Sequence, residues 1–200
     1  KDYSGVTLHE IDNGIDTGDI IEQKRFSISG IVGKELYIRY IAVGTLLISK
    51  NMTRLLNKEY TPLIQSSVNS TYYSKTSFRF NEIEIKPRQT AFQIQQFVNA
   101  INFRPYQLPV FRNNEIFRTQ IKNIKSDKKA GTILIEDNEK IEISTMDFNI
   151  ILFKDYYNEL MDCCISNNLD RAEQVIDYIT NLDEIDKNGW NFLMVACYNN

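Results

Sequence analysis

The sequence predicts an α/β segment, then a β-rich segment, then an all-α segment, and three observations lead to this division. Apolar and polar residues alternate near the N-terminus, and apolar residues then recur at helical spacing over residues 33–56. Short runs rich in Ile, Phe and Thr follow, separated by turn-forming residues. Helical spacing then returns up to the C-terminus. We therefore expect segments at residues 1–60, 61–154 and 155–200.

The composition of the 200 residues is that of a folded protein. Hydrophobic residues make up 42% and charged residues 24%, with only eight Gly and four Pro, which excludes a disordered or collagen-like chain. The net charge is −3, so no overall positive field attracts a polyanion, and nucleic acid is not expected as the main partner. The apolar stretch at residues 37–48 is shorter than the roughly 20 residues that span a bilayer, so no membrane is expected either.

Cysteine and histidine usage limits the possible chemistry. The three cysteines are odd in number, and none has Cys-x-x-Cys spacing, which argues against a disulfide framework or a zinc site. We expect no metal and a reducing cytoplasm. The single histidine is His9. The chain begins without Met or a signal pattern and leads at once into a strand-like run, so we expect a piece of a longer protein.

In the first segment, the pattern predicts a strand at residues 6–11, a loop rich in Asp and Gly at 12–19 and a second strand at 20–28. From Gly33 the spacing becomes helical, and it ends before Pro62. The apolar face of this helix is broad, which predicts a long and mostly buried helix.

The second segment reads as strands with one helix. Thr90 and Gln93 have capping-box spacing before an apolar stripe, which predicts a helix at residues 91–101. Asp137 and Asn138 lie between apolar runs and indicate a hairpin tip. Strands are expected at residues 71–74, 111–121, 131–135, 140–144 and 149–153.

In the third segment, two apolar stripes separated by Asn167 and Asn168 predict a helical hairpin. A further helix is expected from Asn191, which could cap it.

The loop between the first two strands carries a long motif. Residues 5–20 read Gly-Val-Thr-Leu-His-Glu-Ile-Asp-Asn-Gly-Ile-Asp-Thr-Gly-Asp-Ile. Without its flanks, a loop of this composition would be a simple turn. The full stretch resembles the folate-binding loop of formyltransferases that use 10-formyltetrahydrofolate. This resemblance implies a formyltransferase whose Rossmann-like catalytic domain ends within segment 1–60. It also implies that Asp16 is catalytic and that the folate co-substrate is bound or supported by Thr7, His9, Asp12, Gly14, Ile15 and Gly18.

General chemistry asks for the same residue types. An amine that attacks a formyl carbonyl must lose a proton while the carbonyl oxygen gains charge, and a carboxylate can order both transfers. Gly14 and Gly18 would let the backbone turn sharply against a flat pterin ring. The family's catalytic His lies in an Asn-x-His tripeptide, which this sequence lacks. We therefore expect His9 to support the loop and this chain alone to be inactive.

A second stretch indicates the substrate. Residues 102–109, Asn-Phe-Arg-Pro-Tyr-Gln-Leu-Pro, resemble a segment of N-formyltransferases that act on nucleotide-linked amino sugars, and Tyr72-Tyr73 resembles another. A nucleotide sugar needs a cation, an aromatic surface and hydrogen-bonding groups. The resemblance implies substrate contacts, with thymidine diphosphate as the expected nucleotide, from Tyr72, Tyr73, Phe103, Arg104, Tyr106 and Gln107. The alternative is a helix-to-strand connection with core aromatics.

Residues 186–197 resemble the opening of an ankyrin repeat, Asp-x-x-Gly-x-Thr-Pro-Leu-His-x-Ala-Ala, with departures at Asn191, Phe192, Met194 and Cys197. This implies that segment 155–200 starts an ankyrin array that holds a second ligand or a partner protein. Trp190 would lie in the loop that such arrays present, where its ring either stacks on a ligand or covers the adjoining helices.

Two other functions stay open. A methionyl-tRNA formyltransferase would share the folate loop but should carry a basic domain for its tRNA, and this chain is net negative. An ankyrin-type interaction protein could instead retain a formyltransferase remnant without activity. For the sugar enzyme, we expect a role in surface polysaccharide synthesis such as that of O-antigen, and a homodimer is possible.

Overall fold

The computed structural model describes residues 2–66, 71–74, 76, 83–104 and 106–199. It divides the chain into two compact units, residues 1–79 and residues 80–200. The three segments expected from the sequence stay predictions, because compactness by itself does not delimit a domain.

Over its described residues, the first unit is a hairpin that carries one long helix. Strand β1 (Tyr3–His9) and strand β2 (Ile20–Ser27) are antiparallel, with Tyr3 opposite Ser27 and Leu8 opposite Glu22. The register shifts between Leu8 and His9, where the loop begins. The predicted order of strand, loop and strand is therefore present.

Helix α1 (Gly33–Asn57) packs against β1 and β2, but the prediction of a mostly buried helix was wrong. Only Leu47 and Asn51 are buried in it. The apolar pattern covers much of the helix circumference, whereas the two-stranded hairpin covers one side. A second apolar stripe therefore stays exposed, formed by Tyr37, Ile38, Ile41, Ile48, Met52 and Leu56. The buried Asn51 amide donates hydrogen bonds to the Leu47 carbonyl and to Glu22 Oε2, both at 2.9 Å.

The second unit begins with helix α2 (Ala91–Ile101), which packs on a five-stranded sheet. The strands are β3 (Val110–Phe111), β4 (Asn114–Lys125), β5 (Ile133–Glu136), β6 (Lys140–Ile143) and β7 (Phe148–Lys154). Their spatial order is β3-β4-β7-β6-β5, with every neighbouring pair antiparallel. The fully buried core between helix and sheet includes Ile94, Val98, Ile116, Ile141, Ile150 and Leu152.

Local signals in this unit were predicted correctly. The Thr90 hydroxyl accepts from the Gln93 backbone N–H, and the Gln93 side chain accepts from the Thr90 backbone N–H, which is the predicted capping box. The Asp137 carboxylate accepts from the backbone N–H groups of Glu139 and Lys140 at the β5–β6 hairpin tip. The expected strand at residues 71–74 was wrong, since these residues form no strand pairing.

Three helices and a short turn complete the second unit: α3 (Tyr157–Ser166), α4 (Leu169–Val175), a 3₁₀ turn (Ile176–Tyr178) and α5 (Phe192–Asn199). They share a small core that includes Tyr157, Leu160, Val175, Phe192 and Val195. The Asn191 side chain accepts from the Met194 backbone N–H at 3.0 Å, as a cap of α5. Three helices do not by themselves establish a repeat array. The described parts of the chain contain no helix with the length and apolarity to cross a membrane.

Candidate active site

The Asp-rich loop, residues 10–19, is closed at its base by the ends of the two strands. The Glu10 backbone N–H donates to the Asp19 carbonyl at 2.9 Å. Just beyond the loop, Ile20 and Leu63 exchange two backbone hydrogen bonds of 2.7 Å, which adds a third extended segment beside β2. The loop is therefore held by backbone pairing on both sides.

Asp12 organises the interior of this loop. Its Oδ1 accepts from the Gly14 backbone N–H at 2.9 Å and from the Thr17 hydroxyl at 2.6 Å. Both donors stabilise the ionised carboxylate, and the Thr17 hydroxyl followed by the Gly14 N–H lowers the pKa of Asp12 below its ordinary value of 3.8. Asp12, one of the predicted folate-binding residues, therefore stabilises a turn within the loop.

The two glycines of the loop, Gly14 and Gly18, lie where an added Cβ would make close contacts. A Cβ at Gly18, which is buried, would lie 1.9 Å from the Glu10 carbonyl oxygen, which belongs to the backbone. A Cβ at Gly14 would lie 2.0 Å from the Thr17 hydroxyl. Only glycine fits Gly18 without moving the backbone.

Asp16 and His9 meet across the loop. Asp16 has a backbone φ of +57°, which is uncommon for a residue other than glycine. His9 Nε2 lies 3.6 Å from Asp16 Oδ1, and the side chains are 25% and 85% exposed, respectively. His9 Nδ1 lies 2.6 Å from the Glu10 carbonyl and donates to it, which leaves Nε2 turned toward the carboxylate. The arrangement places a solvent-accessible carboxylate beside the imidazole Nε2 of His9.

Two residues that sequence reasoning missed support the loop. The Gln65 side-chain amide donates to the carbonyls of Asp16 and Gly18, at 3.1 and 2.5 Å. The Tyr60 hydroxyl donates to Glu10 Oε1 at 3.1 Å, and this contact raises the pKa of Tyr60. Neither residue belongs to a recognisable motif, and both are about 50 residues away in sequence. No local signal could have found them.

The other two predicted folate-binding residues, Thr7 and Ile15, lie on strand β1 and in the loop. Thr7 lies on β1, and its hydroxyl accepts from the Gln23 side-chain amide at 3.0 Å. Ile15 lies next to Asp16 with its side chain mostly exposed. The hairpin and its loop therefore bring together all seven of the predicted catalytic and folate-binding residues.

Of the substrate candidates, Phe103, Tyr106 and Gln107 form one turn in the second unit. The Phe103 carbonyl accepts from the backbone N–H groups of Tyr106 and Gln107, at 2.8 and 3.0 Å. The two rings are tilted against each other with centroids 5.3 Å apart, and the Tyr106 side chain is exposed. The Gln107 amide donates back to the Ile101 carbonyl, at the end of α2.

Arg104 is held by partners within the chain. Its Nη1 lies 2.6 Å from Asp155 Oδ1, and its Nη2 lies 2.5 Å from Glu184 Oε2. Burial lowers the pKa of the guanidinium, but Asp155 and Glu184 more than offset this effect, so the net pKa is raised. A substrate phosphate at Arg104 would compete with these two carboxylates.

Tyr72 and Tyr73 are both exposed, in a described stretch without regular structure. They belong to the first unit, whereas the turn at residues 103–107 belongs to the second. Within the described residues, no group of three or more His, Cys, Asp and Glu side chains is arranged to hold a metal ion.

Comparison with curated proteins identifies bacterial relatives. The chain is 29% identical over 152 residues to a methionyl-tRNA formyltransferase of Ureaplasma parvum serovar 3, covering 74% of this chain and 49% of that protein. It is 24% identical over 159 residues to the methionyl-tRNA formyltransferase of Clostridioides difficile, covering 78% of this chain and 50% of that protein. The chain thus spans about half the length of the curated relatives it matches. No protein-family model matches it.

Solved structures show a similar fold. An N-formyltransferase from Helicobacter canadensis, crystallised with folinic acid and dTDP-3-aminofucose, is 35% identical with a TM-score of 0.65, covering 78% of this chain and 57% of that one. The sugar 3-N-formyltransferase WlaRD, crystallised with dTDP and 5-N-formyl-tetrahydrofolate, is also 35% identical with a TM-score of 0.65. The match covers 77% of this chain and 56% of that one. HypX from Aquifex aeolicus, at 17% identity and a TM-score of 0.57, covers 76% of this chain and 28% of that one and shares the fold alone. Over about three quarters of its length, the chain is therefore a relative of the formyltransferases in sequence and in mixed α/β fold.

Proposed function

We propose that the protein transfers the formyl group of 10-formyltetrahydrofolate to the amino group of a nucleotide-linked amino-deoxysugar. The observation that carries the proposal is the loop at residues 10–19. In it, an exposed Asp16 carboxylate faces His9 Nε2, and contacts that only glycine permits shape the backbone. Because the chain spans about half the length of its relatives, the activity is proposed for the natural full-length polypeptide that contains it.

The loop geometry fits a folate co-substrate. Asp12 and Gln65 satisfy groups within the loop and fix its shape. The exposed Ile15 side chain offers an apolar surface next to Asp16, where a flat ring could pack. An organised polar loop with an adjacent apolar side chain is what such a ring requires.

In the proposed reaction, the sugar amine attacks the formyl carbon, a new N–C bond forms and the bond from that carbon to N10 of the folate breaks. The amine proton leaves as the folate nitrogen gains one. Asp16 would order this proton transfer, and His9 would hold the Asp16 carboxylate in place. Oxyanion stabilisation would come from an Asn and a His that the described loop does not supply.

The sugar substrate is supported by two features. The solved N-formyltransferases at 35% identity were crystallised with dTDP-3-aminofucose or dTDP, which makes a thymidine diphosphate sugar the first candidate. The turn at residues 103–107 offers paired Phe103 and Tyr106 rings for stacking, and the Gln107 side chain, whose amide also donates to the Ile101 carbonyl, for hydrogen bonding. In the first unit, the exposed Tyr72 and Tyr73 are separate candidates for contacts with the sugar substrate. A role in surface polysaccharide synthesis would follow from such a substrate.

The experiment incubates the natural full-length polypeptide with 10-formyltetrahydrofolate and a panel of dTDP-linked 3-amino and 4-amino sugars, with mass spectrometry to detect the N-formylated sugar. We expect at least one sugar to be formylated at a rate that depends on Asp16. Failure with every sugar in the panel would contradict the proposed substrate.

A methionyl-tRNA substrate is the second candidate, because the curated sequence relatives carry that name. The net charge of −3 disfavours it, since binding to tRNA phosphates needs positive charge. Parallel reactions with charged initiator tRNA separate the two functions. Formylated tRNA without formylated sugar would establish the alternative.

For the C-terminal segment, the proposal is the start of an ankyrin-type array that holds a second ligand or a protein. The Asp186 carboxylate accepts from the backbone N–H groups of Asn188 and Trp190, and Gly189 has a φ of +82°. The Trp190 ring meets the Tyr198 ring edge-on with centroids 5.0 Å apart. Trp190 is the sole tryptophan, so its fluorescence reports directly on ligand addition. An unchanged spectrum across the sugar panel would remove those sugars as ligands of this loop.

Two further proposals and one alternative concern the protein as a whole. A homodimer is tested by sedimentation of the full-length polypeptide. A cytoplasmic location accords with three cysteines that are all free thiols, and cell fractionation tests it. The opposite possibility, a binding protein with an inactive remnant, would be supported if no Asn-x-His tripeptide precedes the loop in the full-length sequence.

A further inference from the structure

A pocket of about 300 Å³ lies where the β3–β4 turn and the end of β7 meet the start of α3. Four of its lining residues are acidic: Glu115, Asp155, Glu159 and Asp162. The side-chain amides of Asn113, Asn114 and Asn158 supply further polar atoms. The pocket belongs wholly to the second unit and contains none of the residues assigned to formyl transfer.

The negative charge in this pocket is only partly neutralised. Lys154 is the one cationic lining residue, and its ammonium is bound to Glu136 Oε1 at 3.1 Å and to the Asp137 carbonyl at 2.8 Å, at the hairpin tip. Glu159 pairs with Arg171 at 2.6 Å. Glu115 accepts only a neutral amide N–H, from Asn158 at 2.9 Å.

Asp155 provides an independent sign of a missing partner. Its side chain is 2% exposed, and its Oδ1 binds Arg104. Its Oδ2 is buried and has no hydrogen bond of good geometry within the described residues, although the Tyr157 backbone N–H interacts favourably with the ionised carboxylate. A buried carboxylate oxygen without a donor is costly, and such groups usually have a partner.

The pKa shifts of Asp155 and Glu115 are consistent with a missing cationic partner. Burial raises the pKa of Asp155, and the nearby Arg104 offsets part of that rise. Burial also raises the pKa of Glu115, and the charge of Asp155 raises it further. An added cation would relieve both effects.

The chemistry of the lining selects the kind of cation. Carboxylate and amide oxygens accept hydrogen bonds, and a primary ammonium brings three N–H donors, whereas a quaternary ammonium has none and favours aromatic cages. Among the described residues, no three acidic side chains converge closely enough to ligate a metal ion. We propose that this pocket binds a small primary amine, with Glu115 and Asp155 as the inner acceptors.

The test is calorimetric titration of the protein with 1,4-diaminobutane at low ionic strength. We expect saturable one-to-one binding that weakens with added salt. Glu115→Gln preserves the side-chain shape and should weaken binding about tenfold. Asp127→Asn removes an exposed carboxylate outside the pocket and should leave binding unchanged. Thermal unfolding of each variant confirms that it is folded. If Glu115→Gln does not fold, Asp162→Asn, at an exposed lining residue, takes its place. We expect Asp162→Asn to weaken binding severalfold.

Several results would overturn the proposal. These are the absence of saturable binding by the wild-type protein, equal binding by the folded Glu115→Gln variant, or equal binding of tetramethylammonium, which has no N–H donor. Displacement of the diamine by equimolar Mg²⁺ would show that the pocket is a metal site instead. The assay involves neither folate nor sugar, so its outcome is independent of the proposed formyl transfer.

Discussion

The Nε2 atom of His9 lies 3.6 Å from Oδ1 of Asp16, although His9 precedes the loop and Asp16 lies within it. His9 ends a strand, whereas Asp16 stands in a backbone conformation with positive φ. The Glu10 carbonyl fixes His9 from one side, and Gln65 holds the Asp16 carbonyl from the other. The exposed Asp16 carboxylate is therefore positioned by a loop that contacts on both sides hold in place.

Asp16→Asn should reduce kcat for formyl transfer about 10²–10⁴-fold, because the amide cannot accept the proton that the carboxylate orders. Sugar binding should stay nearly unchanged, since Asp16 would act on the transferred group. The measurement compares turnover and sugar binding in the full-length polypeptide, with Asp127→Asn as the control. Normal turnover by Asp16→Asn would show that another residue carries the chemistry.

Gly18→Ala should destabilise the first unit by about 1–3 kcal/mol, because the added Cβ would meet the Glu10 carbonyl oxygen at 1.9 Å. Gly44→Ala is the matched control. It lies in α1, where the new Cβ would meet Val6 Cγ1 at 3.7 Å, and alanine should stabilise the helix by about 0.5–1 kcal/mol. Denaturant unfolding measures both variants. Equal stability of the two would contradict the loop geometry.

Thr17→Val should raise the pKa of Asp12 toward 3.8, because it removes the main hydrogen bond that lowers this pKa. In the wild-type protein, Asp12 stabilises the loop fully above pH 3.8, and this contribution is lost as the pH falls through the lower folded value. In the variant, the folded pKa lies closer to 3.8, so the contribution of Asp12 is smaller and its loss is complete at a higher pH. NMR titration of the Asp12 carboxyl measures the change, with the exposed Thr53→Val as control. An unshifted titration would contradict the Thr17 contact.

Arg104→Ala should destabilise the second unit by about 3–5 kcal/mol, because it removes the cation paired with the buried Asp155 carboxylate and with the partly buried Glu184. Chemical denaturation measures this change, and the exposed Lys128→Ala serves as control. A second readout is KM for the nucleotide sugar in the full-length polypeptide. A higher KM with unchanged stability would support the phosphate contact expected from the sequence and would contradict the structural role.

Local patterns predicted much of the fold because their physical causes are local. The capping box at Thr90 and Gln93, the Asp137 hairpin tip and the Asn191 cap all depend on residues within four positions of each other. The loop motif likewise contains its own turn, from Asp12 to Thr17. Residues 71–74 lack a strand partner, which residue preference alone could not reveal.

Contacts between distant residues could not be predicted in this way. Helical spacing revealed the apolar stripes of α1 but not which of them the hairpin would cover. Arg104 has the chemistry to bind a phosphate, and the fold instead placed it between Asp155 and Glu184, 51 and 80 residues away.

The sequence by itself determined the order of strands and helices, their caps and the loop that carries Asp16. These features follow from backbone preferences and from hydrogen bonds between near neighbours. Only the tertiary structure decided that His9 faces Asp16, that Gln65 supports the loop and that Arg104 is paired within the chain. The reason is that such contacts depend on how the elements pack, and packing brings together side chains whose distance along the chain carries no signal.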